Sequence, residues 1–201
     1  MIASVLRLSR SDCKSLRVTD PYSVHRVVYS LFPQKDGRPR DFLFVDKGGS
    51  FNERTILLLS EDTPEMPEYG ELVSKEIPDR FLQQDHYGFE VVVNPVVRDN
   101  RTGKIKPVRG KDALLEWFLQ KSPTYGFSVD HGSLSVSQTN IVHFTKDTKE
   151  VILAKAKFTG RLTVINRDIF IKTFTRGLGK GKGFGFGLLQ IVPLQAASED
   201  A

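Results

Sequence analysis

The sequence predicts a mixed α+β chain of two tandem ferredoxin-like (RRM-like) units, each of βαββαβ order, over residues 1–84 and 85–201. Three observations predict it. The hydrophobic pattern switches between strict alternation and a roughly 3.6-residue period in the order strand, helix, strand, strand, helix, strand, twice over. Hydrophobic residues make up 39% of 201 positions and include 14 phenylalanines, enough for a proper core. Charge also divides by halves. Residues 1–84 carry 12 Lys and Arg against 13 Asp and Glu, and residues 85–201 carry 17 against 11, so the formal +5 arises in the second half. Such an excess points to a polyanion partner for that half, or to a solvated basic face.

In the first half, IASVLRL reads as a strand and PYSVHRVVYSLF as a helix, with Asp20 as its cap and Pro21 in its first turn, where a missing N–H costs nothing. DFLFV and TILLL read as two strands joined through GGSFNE. SEDTPEMPEYG is ambiguous and occupies the place of the second helix, and ELVSKEI is a further strand. In the second half GFEVVVNPVV reads as a strand and DALLEWFLQ as a helix. FSVDHGSLSVSQTNIVHF and VILAKAKFTGRLTVI follow as two long strands. Asn166 caps a helix over RDIFIKTF, Gly177 ends it, and GLLQIVPL closes as a strand.

Several classes of chemistry lack their residues. Cys13 is the single cysteine, which excludes an internal disulfide and a multi-thiolate metal site. His25, His86, His131 and His143 show no HExxH-like spacing and no neighbouring acidic cluster, so no metal site is expected. No GxSxG motif is present for a serine hydrolase. No run approaches the roughly 18 apolar residues of a membrane span, and the N-terminus MIASVLRLSRSD lacks the pattern of an export signal, so an intracellular chain without a membrane partner is expected.

From Gly177 to Gly187 every second residue is glycine: Gly177, Gly179, Gly181, Gly183, Gly185 and Gly187. The phosphate loop and the dinucleotide fingerprint each need glycines at an odd offset, which this run cannot supply. Lys182 to Phe186 match the start of an RNP1 signature, which then breaks at Gly187 and Leu189. Two readings stand: a loop whose bare backbone another molecule approaches, with Lys180 and Lys182 adding charge for an anion, or a glycine-rich connection with no ligand.

On the first long helix Val24, Val27, Val28 and Leu31 form the core stripe. The opposite side carries Tyr22, His25, Arg26 and Tyr29 instead of the usual Glu and Lys. A phenol three residues from an imidazole shares its surface, and a guanidinium beside them suits a phosphate. The face could equally be a surface without a chemical task. If it acts, RNA strand cleavage fits. The substrate supplies its ribose 2′-OH as nucleophile, His25 titrates in the range for acid or base work, Tyr22 orients or exchanges a proton, and Arg26 stabilises the developing charge. RNA would be held by RDNRTGKIKPVRGK, read as a loop bearing Arg98, Arg101, Lys104, Lys106 and Arg109, and by Lys155 and Lys157, which share a strand face.

Taken together, YSVHRVVYSLFP, RDFLF, VVVNPVV, FTGRLTVIN and GLGKGKGFGFGLLQIVPL resemble the CasE-type CRISPR repeat endoribonucleases of the RAMP superfamily, RNA-processing subunits of the Cascade complex. The glycine run matches that family's loop in full, a triplet at 177–179, five residues, and a second triplet at 185–187. The resemblance implies two ferredoxin-like domains and metal-independent, cofactor-free cleavage of precursor CRISPR RNA at the 3′ base of the repeat hairpin. It implies 2′-OH attack, giving a 2′,3′-cyclic phosphate or related 3′ end and a 5′-hydroxyl. It further implies retention of the crRNA for assembly with other Cascade subunits, a monomer outside the complex, and a prokaryotic cytoplasmic location. The family's helix histidine and tyrosine fall on His25 and Tyr22, and its glycine loop, packed in the cleft between domains near the RNA, on Gly177 to Gly187. A noncatalytic RNA-binding subunit on the same scaffold is the alternative, and a ferredoxin-like regulatory protein is a third.

Overall fold

Apolar residues on alternate positions give each face of the first sheet its own buried layer. β1 (Ile2–Ser9) lies between β3 (Glu53–Ser60) and β4 (Glu71–Glu76), with β2 (Phe42–Gly49) outside β3, all antiparallel. The order β2-β3-β1-β4 is that of a ferredoxin-like sheet. The computed structural model describes residues 1–33, 40–49, 52–146 and 148–194, so positions 50 and 51 of the GGSFNE connection lie outside the described residues.

Two helices follow β1. α1 (Arg10–Ser15) is short and is started by Ser9 and Asp12, which cap each other's backbone N–H. α2 (Pro21–Ser30) begins as expected: Asp20 accepts from the Ser23 N–H at 2.7 Å and Pro21 occupies the first turn. Its stripe of Val24, Val27, Val28 and Leu31 is buried against Leu6, Leu8, Phe42, Phe44, Ile56 and Leu58 on one face of the sheet.

No helix forms between β3 and β4, which corrects the expected second helix of the first half. Pro64 and Pro67 stand three residues apart there, and each removes a backbone donor and pushes its predecessor toward extended backbone. The segment is tied instead to the end of α2 through the Glu65 N–H, which donates to the Leu31 carbonyl at 2.8 Å.

The second sheet runs β11 (Leu189–Pro193), β5 (His86–Val93), β10 (Lys149–Val164), β8 (Phe127–Val129), and β9 (Ser135–Lys146) also pairs with β10. The long strand expected over 127–144 is thus two strands. Asp130 breaks it by accepting the N–H groups of Ser133 and Leu134 on its carbonyl, both at 3.1 Å, and that of Gly132 on its side chain. GFEVVVNPVV is also divided: β5 ends at Val93, Pro95 has no N–H for the ladder, and the chain leaves the sheet. The basic segment expected as a loop is a hairpin, β6 (Val96–Arg98) and β7 (Ile105–Pro107), whose turn is built on the Asp99 carboxylate accepting from the N–H groups of Arg101 and Thr102.

α3 (Lys111–Lys121) and α4 (Arg167–Arg176) cover one face of this sheet. Phe118 stacks on Phe158 at 4.4 Å and on Phe89 at 5.6 Å, and Phe170 meets Tyr87 at 5.5 Å. Asn166 caps α4 by accepting from the Ile169 N–H, and Gly177 ends it at φ 75°. Leu43, Val45 and Leu59, on the face of the first sheet turned away from α2, belong to the same buried cluster as Val91, Phe174, Leu178, Phe186 and Leu188. One continuous core therefore joins the two sheets.

Candidate active site and nucleic-acid interface

The glycine run packs at this junction. The Gly187 N–H donates to the Val92 carbonyl at 2.7 Å, and the Leu178 N–H to the Gly187 carbonyl at 2.8 Å. A Cβ at Gly187 would stand 2.2 Å from the Leu178 carbonyl oxygen, and one at Gly177 2.8 Å from the Leu43 side chain. The first and last glycines are thus required by close packing and by φ values of 75° and 82°. Between them Lys182–Phe184 form a single 3₁₀ turn that reaches α2.

There the His25 Nδ1 lies 2.7 Å from the Gly183 carbonyl. A carbonyl only accepts, so Nδ1 carries the proton and Nε2 keeps its lone pair. Aromatic rings enclose the imidazole: Tyr29 at 3.9 Å, Phe184 at 5.4 Å and Tyr22 at 5.6 Å, the last nearly parallel at 19°. Burial among them lowers the His25 pKa below its ordinary value; the Gly183 carbonyl opposes this, and Lys146 and Arg40 reinforce it.

Arg26 is exposed and lies over the Tyr22 ring at 5.9 Å. A second guanidinium, which sequence spacing does not single out, stands on the other flank. Arg40 Nη1 is 3.5 Å from the Tyr29 hydroxyl, its guanidinium lies 5.7 Å from the Phe42 ring centre, and Nη1 is 3.4 Å from where a Cβ on Gly183 would be. Arg40 is fifteen positions from His25 and on no shared element, so only the tertiary fold brings the two together. Lys146 at the end of β9 arrives the same way, two residues after Phe144, whose ring meets Phe184 at 4.7 Å.

The remaining basic residues occupy three places. Arg98, Lys104 and Lys106, with Arg101, are on the β6–β7 hairpin, and Arg109 follows it. Lys106 pairs with Asp99 at 2.7 Å, which with the turn N–H groups holds that carboxyl at about 2. Lys155 and Lys157 are half-buried on β10, and Lys157 lies 3.5 Å from Glu90. In the glycine run Lys180 is exposed, whereas Lys182 donates to the Arg176 carbonyl at 2.7 Å and so closes the end of α4. Burial lowers the Lys182 pKa, with Arg40 and Arg176 adding to the effect. The structure therefore gathers Tyr22, His25, Arg26, Arg40 and Gly183 around one point, while Lys182 turns its ammonium to α4 and Arg98 and Lys106 bond within their own hairpin. Among the described residues no three His, Cys, Asp or Glu side chains gather where they could hold a metal ion. No described helix is long and apolar enough to cross a membrane.

This arrangement has close parallels. Residues 1–193 match the family described as CRISPR associated protein. The chain belongs to that family. The CRISPR system Cascade subunit CasE of Escherichia coli strain K12 is 26% identical over 188 residues, spanning 87% of this chain and 93% of that protein. The CRISPR endoribonuclease Cse3 bound to a 19-nucleotide RNA superposes with a TM-score of 0.84 at 21% identity, covering 96% of this chain and all of Cse3. Cas6e from E. coli K-12 gives 0.74 at 22% identity over 96% and 100% of the two chains. The CasE-type resemblance read from the helix and the glycine run thus holds across the fold, and the tandem ferredoxin-like architecture is that of these relatives.

Proposed function

We propose that this protein is an endoribonuclease that binds the hairpin of CRISPR repeats in precursor RNA, cuts at its 3′ base and retains the product for assembly with other Cascade subunits. The observation that carries the reading is the His25–Gly183 contact, because it fixes the tautomer and leaves the Nε2 lone pair free to take a proton. In the reaction the ribose 2′-oxygen forms a bond to the adjacent phosphorus, the bond from phosphorus to the 5′-oxygen breaks, and one proton leaves the 2′-OH while another reaches the 5′-oxygen. Neutral His25 accepts a proton at Nε2 and protonated His25 donates one there. Tyr22, stacked beside it, orients the ribose or exchanges the second proton. Arg40, and Arg26 on the opposite flank, stabilise the phosphorane charge. No step needs a metal ion.

In this reading residues 1–84 supply the catalytic helix and residues 85–201 the cations that hold the stem, namely Arg98, Arg101, Lys104 and Lys106 on the hairpin, Arg109 just after it and Lys180 on the glycine run. The protein works in the prokaryotic cytoplasm, and outside the complex it is a monomer. A labelled repeat hairpin incubated in EDTA, beside a copy with one 2′-deoxy sugar at the cut, tests the chemistry. Cleavage of the first alone is expected, and His25→Ala should slow it by roughly 10² to 10⁴ while leaving binding intact. Tight binding with both RNAs uncut would make the protein a noncatalytic RNA-binding subunit.

A further inference from the structure

A polar groove of about 530 Å³ runs between the two sheets, on the face of β10 that carries Lys155 and Lys157. Through Asp46, Val92 and Lys155 it continues into a neck of about 40 Å³, which ends at Pro21 and Val24 of α2 and at Phe184, the ring against His25. The groove thus lies beside the reacting centre behind a layer of Phe44, Phe184 and Phe186, and it shares Thr139, Asn140 and Lys155 with a cavity that β7 lines through Pro107.

Its charge is one-sided. Lys47, Arg54, Lys155 and Lys157 line it against two acids, Asp46 and Glu90. Both acids are already engaged: Arg54 grips Asp46 through two hydrogen bonds, at 2.5 and 3.1 Å, and Lys47 and Lys157 flank Glu90. Lys155, at the junction with the neck, pairs with no acid among the described residues. Beside these lysines the wall is a β-bulge in β9. Pairing with β10 shifts between Lys155↔Asn140 and Lys157↔Ser137, and Gln138 takes up the extra length at φ 50°. A non-glycine residue in that region is strained, and bulges re-aim side chains. Here the bulge brings Gln138, Thr139 and Asn140 to the groove, offering amide and hydroxyl groups beside the cations.

We propose that this groove binds unpaired RNA continuous with the hairpin, which runs past Lys155 and lies between the sheets. The inference rests on the endonuclease reading and adds a second RNA site to it. The Cα atoms of alternate strand residues lie about 6.6 Å apart, so Lys155 and Lys157 start from positions within reach of successive phosphates of an extended strand. The amides of Gln138 and Asn140 can pair with base edges, which are exposed only in single strands. A volume within the roughly 300–1,000 Å³ of ordinary ligand pockets admits one or two nucleotides and excludes a duplex.

The test uses RNAs made uncleavable by a 2′-deoxy sugar at the cut: the hairpin alone, the hairpin with an unpaired flank at its 5′ or its 3′ end, and an unpaired oligonucleotide of the flank. One flank should tighten binding on the order of tenfold, the worth of a single base or phosphate contact. Gln138→Ala should abolish that gain while leaving affinity for the bare hairpin unchanged, which also shows that the variant folds, and Lys155→Glu should weaken the flanked hairpin more than the bare one. The idea is overturned if neither flank adds affinity, or if Lys155→Glu weakens bare and flanked hairpins alike. Lys155-dependent binding of the oligonucleotide with no hairpin bound or cut would support the groove and overturn the endonuclease reading. Cleavage of the unmodified all-ribose hairpin, with no flank effect on binding of the uncleavable ones, would do the reverse.

Discussion

His25 is set between two opposing influences. Its ring is enclosed by Tyr22, Tyr29 and Phe184, which disfavours the charged form, while the Gly183 carbonyl on Nδ1 favours it, and burial is the larger effect. The titration midpoint of His25, followed by NMR of its ring protons, should therefore lie below 6.5. Arg40→Met removes a cation that faces the imidazole and should move that midpoint upward; an unmoved midpoint would mean that its field does not reach the ring. The same shift affects folding. Because the native state holds His25 neutral while the unfolded chain still binds the proton, stability at this site is full above about pH 6.5 and falls as pH drops toward the lowered native pKa. His25→Gln should flatten that part of the stability profile. In cleavage assays Arg40→Met should cost more than Arg26→Met, since Arg40 stands beside Tyr29 and Gly183 whereas Arg26 is exposed over Tyr22.

At the scale of elements, the glycine run is not uniformly constrained, although its sequence is uniform. Gly187 has φ 82° and its missing Cβ would lie 2.2 Å from a backbone oxygen, whereas Gly179 has φ 64° with nothing within 4 Å. Gly179→Ala should cost only the left-handed strain of about 1–2 kcal/mol. Gly187→Ala must also displace the Leu178 backbone, so its loss of stability in urea or thermal unfolding should be clearly larger. Equal losses would show that the loop gives way at Leu178. This difference is invisible in the run itself, where the alternation fails to tell packed positions from open ones. Other elements were legible for local reasons: Asp20 with Pro21, Asn166 and Gly177 mark helix ends through their own backbone demands, and the valine stripe of α2 marks its buried face. Where the fold departs from the expected elements, a short-range signal opposes them. Pro64 and Pro67 argue against a helix before β4, Asp130 and Gly132 against an unbroken strand, and Asn94–Pro95 against continuing β5. At the site Tyr22 and His25 were readable because one helix turn joins them, but Arg40, Phe184 and Lys146 come from elsewhere in the chain.

At the scale of the whole molecule, the two ferredoxin-like units are not independent bodies of core. Leu43, Val45 and Leu59 of the first sheet share a buried cluster with Leu178, Phe186 and Leu188 of the glycine run and the start of its strand. The loop that fixes the tautomer of His25 is therefore also the layer between the sheets, so site geometry and inter-sheet packing depend on the same residues. Thermal unfolding should then be a single cooperative transition by both far-UV and near-UV probes. Leu178 is 1% exposed in this layer. Truncating it to Ala should cost about 2–5 kcal/mol, on the order of 10 °C in Tm for a chain of this size, and should move the one transition as a whole. Two separate transitions, with Leu178→Ala lowering only one, would show that the shared cluster does not couple the sheets. Because Leu178 also anchors Gly187, the surviving folded fraction should show a His25 titration closer to that of an exposed imidazole. That result would tie the strength of the inter-sheet core to the protonation state of the candidate catalytic group.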